Sequence, residues 1–306
     1  MFAQVIAARL IRASGCDLGK GSGDAADETN GHSFALALAQ PLSIVLGNVA
    51  EQSHAPQSNF TAEESKNMKL PIWMYWEGAC PDWIKACRET ILAHAPDARL
   101  LAPETFNQLR DVDLDIDLNR LQVEHRSDFI RAFLLFRYGG LWIDSDCLLM
   151  QPLQPLLDKL REYDFLAHRE RSGNISNAFI GAPPESQIAA ELYRGVCYLL
   201  RSGKPLNWTS LGGEPLSVIL NQSIAPWLEL PCEDIQPIGW GHPHHFFVVR
   251  SDAEHERAFN ERAICYMLSN TAVQEYRAAH PSHNLLAAGS FFRYLWQHSL
   301  KQARRC

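Results

Sequence analysis

No stretch of this chain approaches the roughly 18 consecutive apolar residues that a membrane-spanning helix needs. Phe34 to Val49 comes nearest, and Gln40, Pro41, Ser43 and Asn48 interrupt it. Met1 to Ala13 carries two arginines but no long apolar centre, which argues against a cleaved signal peptide. Positive charge is in short supply: 28 Lys and Arg stand against 35 Asp and Glu, for a formal net charge of −7. The basic patch expected of a nucleic-acid binder is therefore missing, and no nucleic-acid partner is expected. The same negative field repels an anionic substrate, which would need local help from arginines or a cation. Cys-x-x-Cys pairs are absent. The eight cysteines, at 16, 80, 87, 147, 197, 232, 265 and 306, are scattered. That excludes a zinc ribbon or a thioredoxin-type site, and the reading is of reduced thiols in a cytosolic protein. No internal repeat is visible.

What remains is a chain with 46% hydrophobic and 21% charged residues, enough for a well-buried core. At 306 residues it can hold one large α/β domain with additions, or two small ones. Residues 1–68 differ from the rest. Gly19 to His32 is rich in Gly, Ser, Asp and Asn, and Glu51 to Lys69 is polar. This segment reads as a variable, partly flexible extension, with the core domain over 69–306. Ile72-Trp73-Met74-Tyr75-Trp76 follows Pro71 and predicts a buried first strand. Trp83, Ile84, Cys87, Ile91 and Leu92 fall at helical spacing, and Arg99-Leu100-Leu101 gives a second short strand. Strand, helix, strand at this length is a βαβ unit on a parallel sheet.

The densest information lies between Glu124 and Pro152. A helix is expected from about Leu121 to Tyr138, with a broad apolar face of Phe129, Ile130, Phe133, Leu134 and Phe136. Gly139-Gly140 should stop it in a left-handed cap. Leu141-Trp142-Ile143 reads as a buried strand, and it ends in Asp144-Ser145-Asp146. In an extended chain those two carboxylates diverge; if the chain turns, both reach one divalent cation. Hard cations such as Mg²⁺ and Mn²⁺ take carboxylate and phosphate oxygens, and ligands gather beyond the carboxyl ends of strands in α/β sheets. The acidic run Asp111, Asp113, Asp115, Asp117 has no apolar strand before it and reads as a solvated loop. Asp128 and Arg131 are three residues apart on one face of an apolar helix, where a wet ion pair is out of place. Arg126 and Arg137 read as surface or helix-end charges.

The order Arg126-Ser127-Asp128, Arg131, Tyr138-Gly139-Gly140, Leu141-Trp142-Ile143, Asp144-Ser145-Asp146 resembles, without a gap, the sugar-binding region of glycosyltransferases that carry an Asp-x-Asp motif. It is most similar to bacterial capsular-polysaccharide-synthesis proteins, with yeast-type mannosyltransferases and the clostridial glucosylating toxins as further relatives. The resemblance extends over roughly Leu70 to Asn270. It implies a GT-A-like fold, with a single Rossmann-type sheet and flanking helices. It also implies transfer of a sugar, with retention, from a nucleoside-diphosphate donor, UDP-linked in most relatives, to a glycan or glycolipid acceptor. A cytoplasmic location follows, and association with the inner face of a membrane stays open. The implied cofactor is Mn²⁺ or Mg²⁺. Asp146 would ligate it directly, and Asp144 would bind both ribose and metal. Asp128 and Arg131 would hold the sugar and phosphate. Trp76, in the Trp-x-Gly at the end of the first strand, would stack on the base, as aromatic faces do. Asn177 would stand on the acceptor side. For the last metal ligand, Ser269, Asn270 or a histidine could serve, and Asn270 is taken as the candidate.

Three further readings remain. Leu211-Gly212-Gly213-Glu214-Pro215 resembles a family turn before a helix whose N-terminus could suit a phosphate, with Glu214 as an insertion. His242, His244 and His245 lack the helical i, i+4 spacing of a zinc motif, so they read as a structured loop with a substrate contact rather than a zinc site. Two rivals to the transferase are a phosphatase of the haloacid-dehalogenase type, with Asp144 as nucleophile, and a nucleotide-sugar-binding protein without turnover. The first does not explain Arg126-Ser127-Asp128, and it usually has Thr or Val where Cys147 stands.

Overall fold

The computed structural model describes residues 69–110 and 116–305. All lie within one compact unit spanning 55–306. The extension over 1–68 and the acidic residues Asp111, Asp113 and Asp115 fall outside the described residues. Asp117 is described, and its side chain caps a single 3-10 turn, Leu118–Arg120.

The architecture is α/β, as the sequence leads one to expect. Strand β1 (Ile72–Tyr75) is buried along its whole length. Helix α1 (Asp82–His94) buries Trp83, Ile84, Cys87 and Ile91. It returns the chain to β2 (Arg99–Leu101), which pairs parallel to β1. The central helix α2 (Val123–Tyr138) leads into β3 (Gly140–Ile143). Then come β4 (Cys147–Leu149), β5 (Phe165–Arg169) and β6 (Ile175–Ala182). After them lie α3 (Gln187–Arg201), α4 (Gly213–Gln222), β7 (Trp227–Leu230) and β8 (Cys265–Met267). Helices α5 (Asn270–Ala279) and α6 (Phe291–Ala303) close the unit.

Six strands form one sheet in the order β2-β1-β3-β6-β5-β7, and β4 pairs with β8 in a small second sheet. Strands β1, β2 and β3 are parallel, while β6 runs antiparallel to both β3 and β5. The reversed β6 and the β4–β8 ribbon do not follow from hydrophobic patterning, since a buried strand reads as the same apolar run in either direction.

Helix α2 is buried almost all round: Phe129, Ile130, Ala132, Phe133, Leu134 and Leu135 are each at most 1% exposed. On one side Phe133 and Phe136 meet Tyr193 of α3, with the Phe136 and Tyr193 rings stacked 4.9 Å apart. The helix ends at Gly139, with φ +64° and ψ −162°. This is not the left-handed helical cap expected from the sequence but an extended conformation at positive φ, populated essentially by glycine alone. Gly140 (φ +103°) is the tighter position: a Cβ there would lie 2.1 Å from the Pro71 carbonyl oxygen. That carbonyl accepts from the Leu141 N–H at 2.9 Å, so the second glycine lets β3 dock against β1.

Candidate active site

The Asp-x-Asp motif sits at the carboxyl end of β3, where the chain turns at Ser145 and Asp146. An extended backbone would have parted the two carboxylates onto opposite faces; here the chain turns between them. Ser145 is buried, and its hydroxyl donates to the Tyr75 carbonyl at the end of β1 (3.0 Å). The Asp144 N–H donates to the Ala178 carbonyl on β6 (2.9 Å). Two neighbouring strands therefore hold the turn.

Asp128, Arg131, Asp144 and Asn177 form one network. The Arg131 guanidinium donates to Asp128 Oδ1 (2.8 Å) and, with its other terminal nitrogen, to Asp144 Oδ1 (2.8 Å). Asn177 Nδ2, from β6, donates to the same Asp128 oxygen (2.7 Å). Trp142 Nε1 donates to Asp144 Oδ1 (2.6 Å), and the guanidinium lies over the Trp142 ring, 4.9 Å from its centroid. Asp128 and Arg131 are 8% and 4% exposed, whereas the Asp144 side chain keeps 28% exposure. Burial pushes the Asp128 carboxyl above its ordinary range; Arg131 and the Asn177 amide pull it back. Both bonds to Asp144 fall on Oδ1.

Asp146 is less well compensated. Its Oδ2 accepts from the Asn270 N–H (2.9 Å), and its carbonyl accepts from the Leu268 N–H (3.1 Å). Burial, and then the Asp144 charge, raise its carboxyl from 3.8 to about 7. A half-buried carboxylate pair with one charge unbalanced and hard oxygen donors suits a divalent cation. Asp144 and Asp146 thus fit the Mn²⁺ or Mg²⁺ expected from the sequence. Asn270 comes to this place through its backbone: it is the first residue of α5, and its side-chain oxygen accepts from Gln274 (2.9 Å).

Trp76 stands apart from the network. It directly follows the residue whose carbonyl holds Ser145, its indole N–H donates to the Ala79 carbonyl (3.2 Å), and the Arg88 guanidinium lies 5.2 Å from its ring centroid. The side chain also packs against the core cluster that contains Trp83, Ile84 and Cys87. Arg126, read from sequence as a surface or helix-end charge, stands near the start of α2 and is a half-buried tether. It donates to Glu77 (2.6 Å) and to the carbonyls of Leu118 and Leu121 (3.0 Å each), tying the end of β1 to the start of α2. The burial comes from the folding of the 116–122 segment over the helix start, which no local pattern signals.

The turn before α4 borders the same network. A Cβ on Gly212 would lie 2.1 Å from Asn177 Nδ2, so glycine lets this backbone touch the amide that holds Asp128. The first turn of α4 carries an acidic side chain, Glu214. Its carboxylate accepts from Thr209 Oγ1 (2.5 Å) and Asn207 Nδ2 (3.2 Å), which places one negative charge of the protein's own beside the helix start. Sequence reasoning missed the tryptophan this turn presents. Asn207 fixes the turn by accepting from Thr209 and Ser210 through its side chain, while its carbonyl bonds His125 Nε2 (2.9 Å). The next residue, Trp208, is nonetheless 61% exposed. A lone Trp in a polar loop gives no signal until that loop is placed beside Asn177.

With this geometry in place, comparison with known families gives one match: the capsular polysaccharide synthesis protein family, over residues 41–196. The chain belongs to that family. The matched span begins inside the 1–68 segment and takes in Asp128, Arg131, Asp144, Asp146 and Asn177. Trp208, Gly212, the histidine loop and Asn270 lie beyond it. No curated protein matches the chain. Among solved structures, the PaToxG glycosyltransferase is similar at 14% identity and a TM-score of 0.36, covering 77% of this chain and 86% of its own. A galactosyltransferase in complex with donor and acceptor sugar analogues gives 11% identity and 0.38, covering 70% and 96%. The glycosyltransferase GlyE of Streptococcus pneumoniae gives 16% and 0.42, covering 78% and 64%.

Proposed function

We propose that this member of the family is a cation-dependent glycosyltransferase. It would move a sugar from a nucleoside-diphosphate donor, UDP-linked in the reading we favour, to a glycan or glycolipid acceptor with retention of configuration. The observation that carries the proposal is the buried Asp128–Arg131–Asp144–Asn177 network set against the under-compensated Asp146 at the end of β3.

The reaction breaks the bond between the anomeric carbon and a phosphate oxygen, with positive charge building on the sugar and negative charge on the diphosphate. A Mn²⁺ or Mg²⁺ ion held by Asp144 and Asp146 would supply, when bound, stabilisation of the leaving charge. Asp128 accepts two bonds on Oδ1, which leaves Oδ2 to accept from a donor-sugar hydroxyl. Arg131 holds Asp128 with one terminal nitrogen and Asp144 with the other, which restrains both carboxylates on donor binding. Asn177 positions Asp128 from the acceptor side. Trp76, at the end of β1, is the candidate to meet the base, and Trp208 offers an exposed ring to an acceptor sugar. Asn270, through its N–H, keeps Asp146 turned toward the site, and its side chain would reach a cation on leaving Gln274. A glycolipid acceptor would bring the protein to a membrane surface; no described helix is long and apolar enough to cross one.

The test is heat stability and donor hydrolysis across a panel of nucleotide sugars, with Mn²⁺, with Mg²⁺ and with chelator. Cation-dependent stabilisation by one donor, slow release of its nucleoside diphosphate, and loss of both in Asp146→Asn would support the reading and name the sugar. Phosphate trapped on Asp144 from a phosphomonoester, with no nucleotide sugar bound, would replace it with the phosphatase. Binding of a donor without turnover to water or any acceptor would leave a binding protein.

A further inference from the structure

From the loop over 239–247 we infer a second metal site, built from imidazoles and distinct in chemistry from the carboxylate pair. The sequence argues against zinc here because His242, His244 and His245 lack helical spacing and Pro243 intervenes. The fold reverses that argument. Pro243 is the N-cap of a short helix, His244–Phe247. The backbone winds in successive three-residue turns, His242 N–H to Gly239 O (3.0 Å) and His245 N–H to His242 O (3.2 Å). At three residues per turn, His242 and His245 come to the same side, and His244 closes the group. One ring nitrogen from each of the three lies within 4.8 Å of the others.

Tetrahedral zinc with Zn–N bonds of about 2.1 Å places its ligand nitrogens about 3.4 Å apart. Closing from 4.8 Å needs a shift of little more than an ångström, which exposed rings make by side-chain rotation. The loop itself stays put, since Phe246 and Phe247 anchor it in the core at 2% and 6% exposure. Imidazole is a borderline donor that suits Zn²⁺ and its transition-metal neighbours and is a poor partner for Mg²⁺. Three protein ligands leave a fourth position for water. The ion would fasten this loop beside α5: the His244 ring lies 6.5 Å from Tyr276 and the Phe247 ring 4.8 Å from it. Tyr276 is on the helix whose first N–H holds Asp146.

The test uses the tag-free full chain, stripped with chelator, titrated calorimetrically with Zn²⁺ in an excess of Mg²⁺. One Zn²⁺ per chain is expected. His242→Asn and His245→Asn should each weaken binding about tenfold or more, and the double variant should abolish it. The metal-free unfolding temperature should not change, because the rings are exposed. Asp146→Asn should bind Zn²⁺ as the wild type does. Zn²⁺ binding that persists in the double variant, is lost in Asp146→Asn, or is absent from the wild type would overturn the site. None of these outcomes depends on transferase activity.

Discussion

Replacing Asp146 by Asn should stabilise the cation-free protein while abolishing its activity. In the fold the carboxyl is raised from 3.8 to about 7, first by burial and then by Asp144. In the unfolded chain it ionises near its ordinary value. Between about pH 4 and 7 the native state therefore holds more proton than the unfolded state, and stability falls as pH rises through that window. Below it the group is neutral in both states and the loss vanishes. The shift of about three pH units corresponds to about 4 kcal/mol at roughly 1.4 kcal/mol per unit; partial solvent access reduces this to about 2–4 kcal/mol. Asparagine at 146 removes the charge. Urea unfolding of chelated protein should show the variant more stable by about 2–4 kcal/mol at pH 8, and within about 1 kcal/mol of wild type at pH 4. Saturating Mn²⁺ should stabilise the wild type and not the variant, and donor turnover in the variant should drop by about a hundredfold or more. A variant less stable than wild type at pH 8, or a gain that does not change with pH, would refute the reasoning.

Other perturbations follow from the same geometry. Arg131→Met leaves Asp128 and Asp144 facing each other without their shared cation. A loss of about 3–5 kcal/mol is expected in urea unfolding, with much of it recovered in the double variant that adds Asp128→Asn. Gly140→Ala should cost at least about 3 kcal/mol, because positive φ is compounded by the clash with Pro71; Gly78→Ala, at φ +78° with nothing near its Cβ, should cost about 1–2. Trp208→Ala should leave the unfolding free energy within about 0.5 kcal/mol of wild type. It should also raise the acceptor KM about three- to tenfold at unchanged donor KM, which steady-state kinetics would read.

Much of this was legible in one dimension because local rules carried it. The apolar rows of α1 and α2, the Gly139-Gly140 stop and the short strands β2 and β3 are set by neighbours in sequence. The motif Arg-Ser-Asp, Arg, Tyr-Gly-Gly, Asp-x-Asp is contiguous, so its family could be read directly. The burial of Arg126 was missed because its three acceptors, Glu77 and the Leu118 and Leu121 carbonyls, are gathered by segments that meet only in the fold. The reversed β6 and the β4–β8 ribbon were invisible for a similar reason, since strand direction leaves no mark on hydrophobicity.

By itself, then, the sequence determined the first βαβ unit, the buried helix α2 with the strand after it, and the residue types at the site: two carboxylates after a strand, and an Asp and an Arg one helical turn apart. Tertiary structure alone decided how those groups share charge. Arg131 could pair with Asp128 by spacing, but only the docking of β3 beside α2 brings Asp144 to its other nitrogen. Only the reversed β6 brings Asn177 to Asp128, and only β8, zipped onto β4, brings the Asn270 N–H to Asp146. The physical reason is range. Propensity and periodicity act over a few residues, whereas a buried charge is compensated by whichever partners the packed chain delivers within about 3 Å.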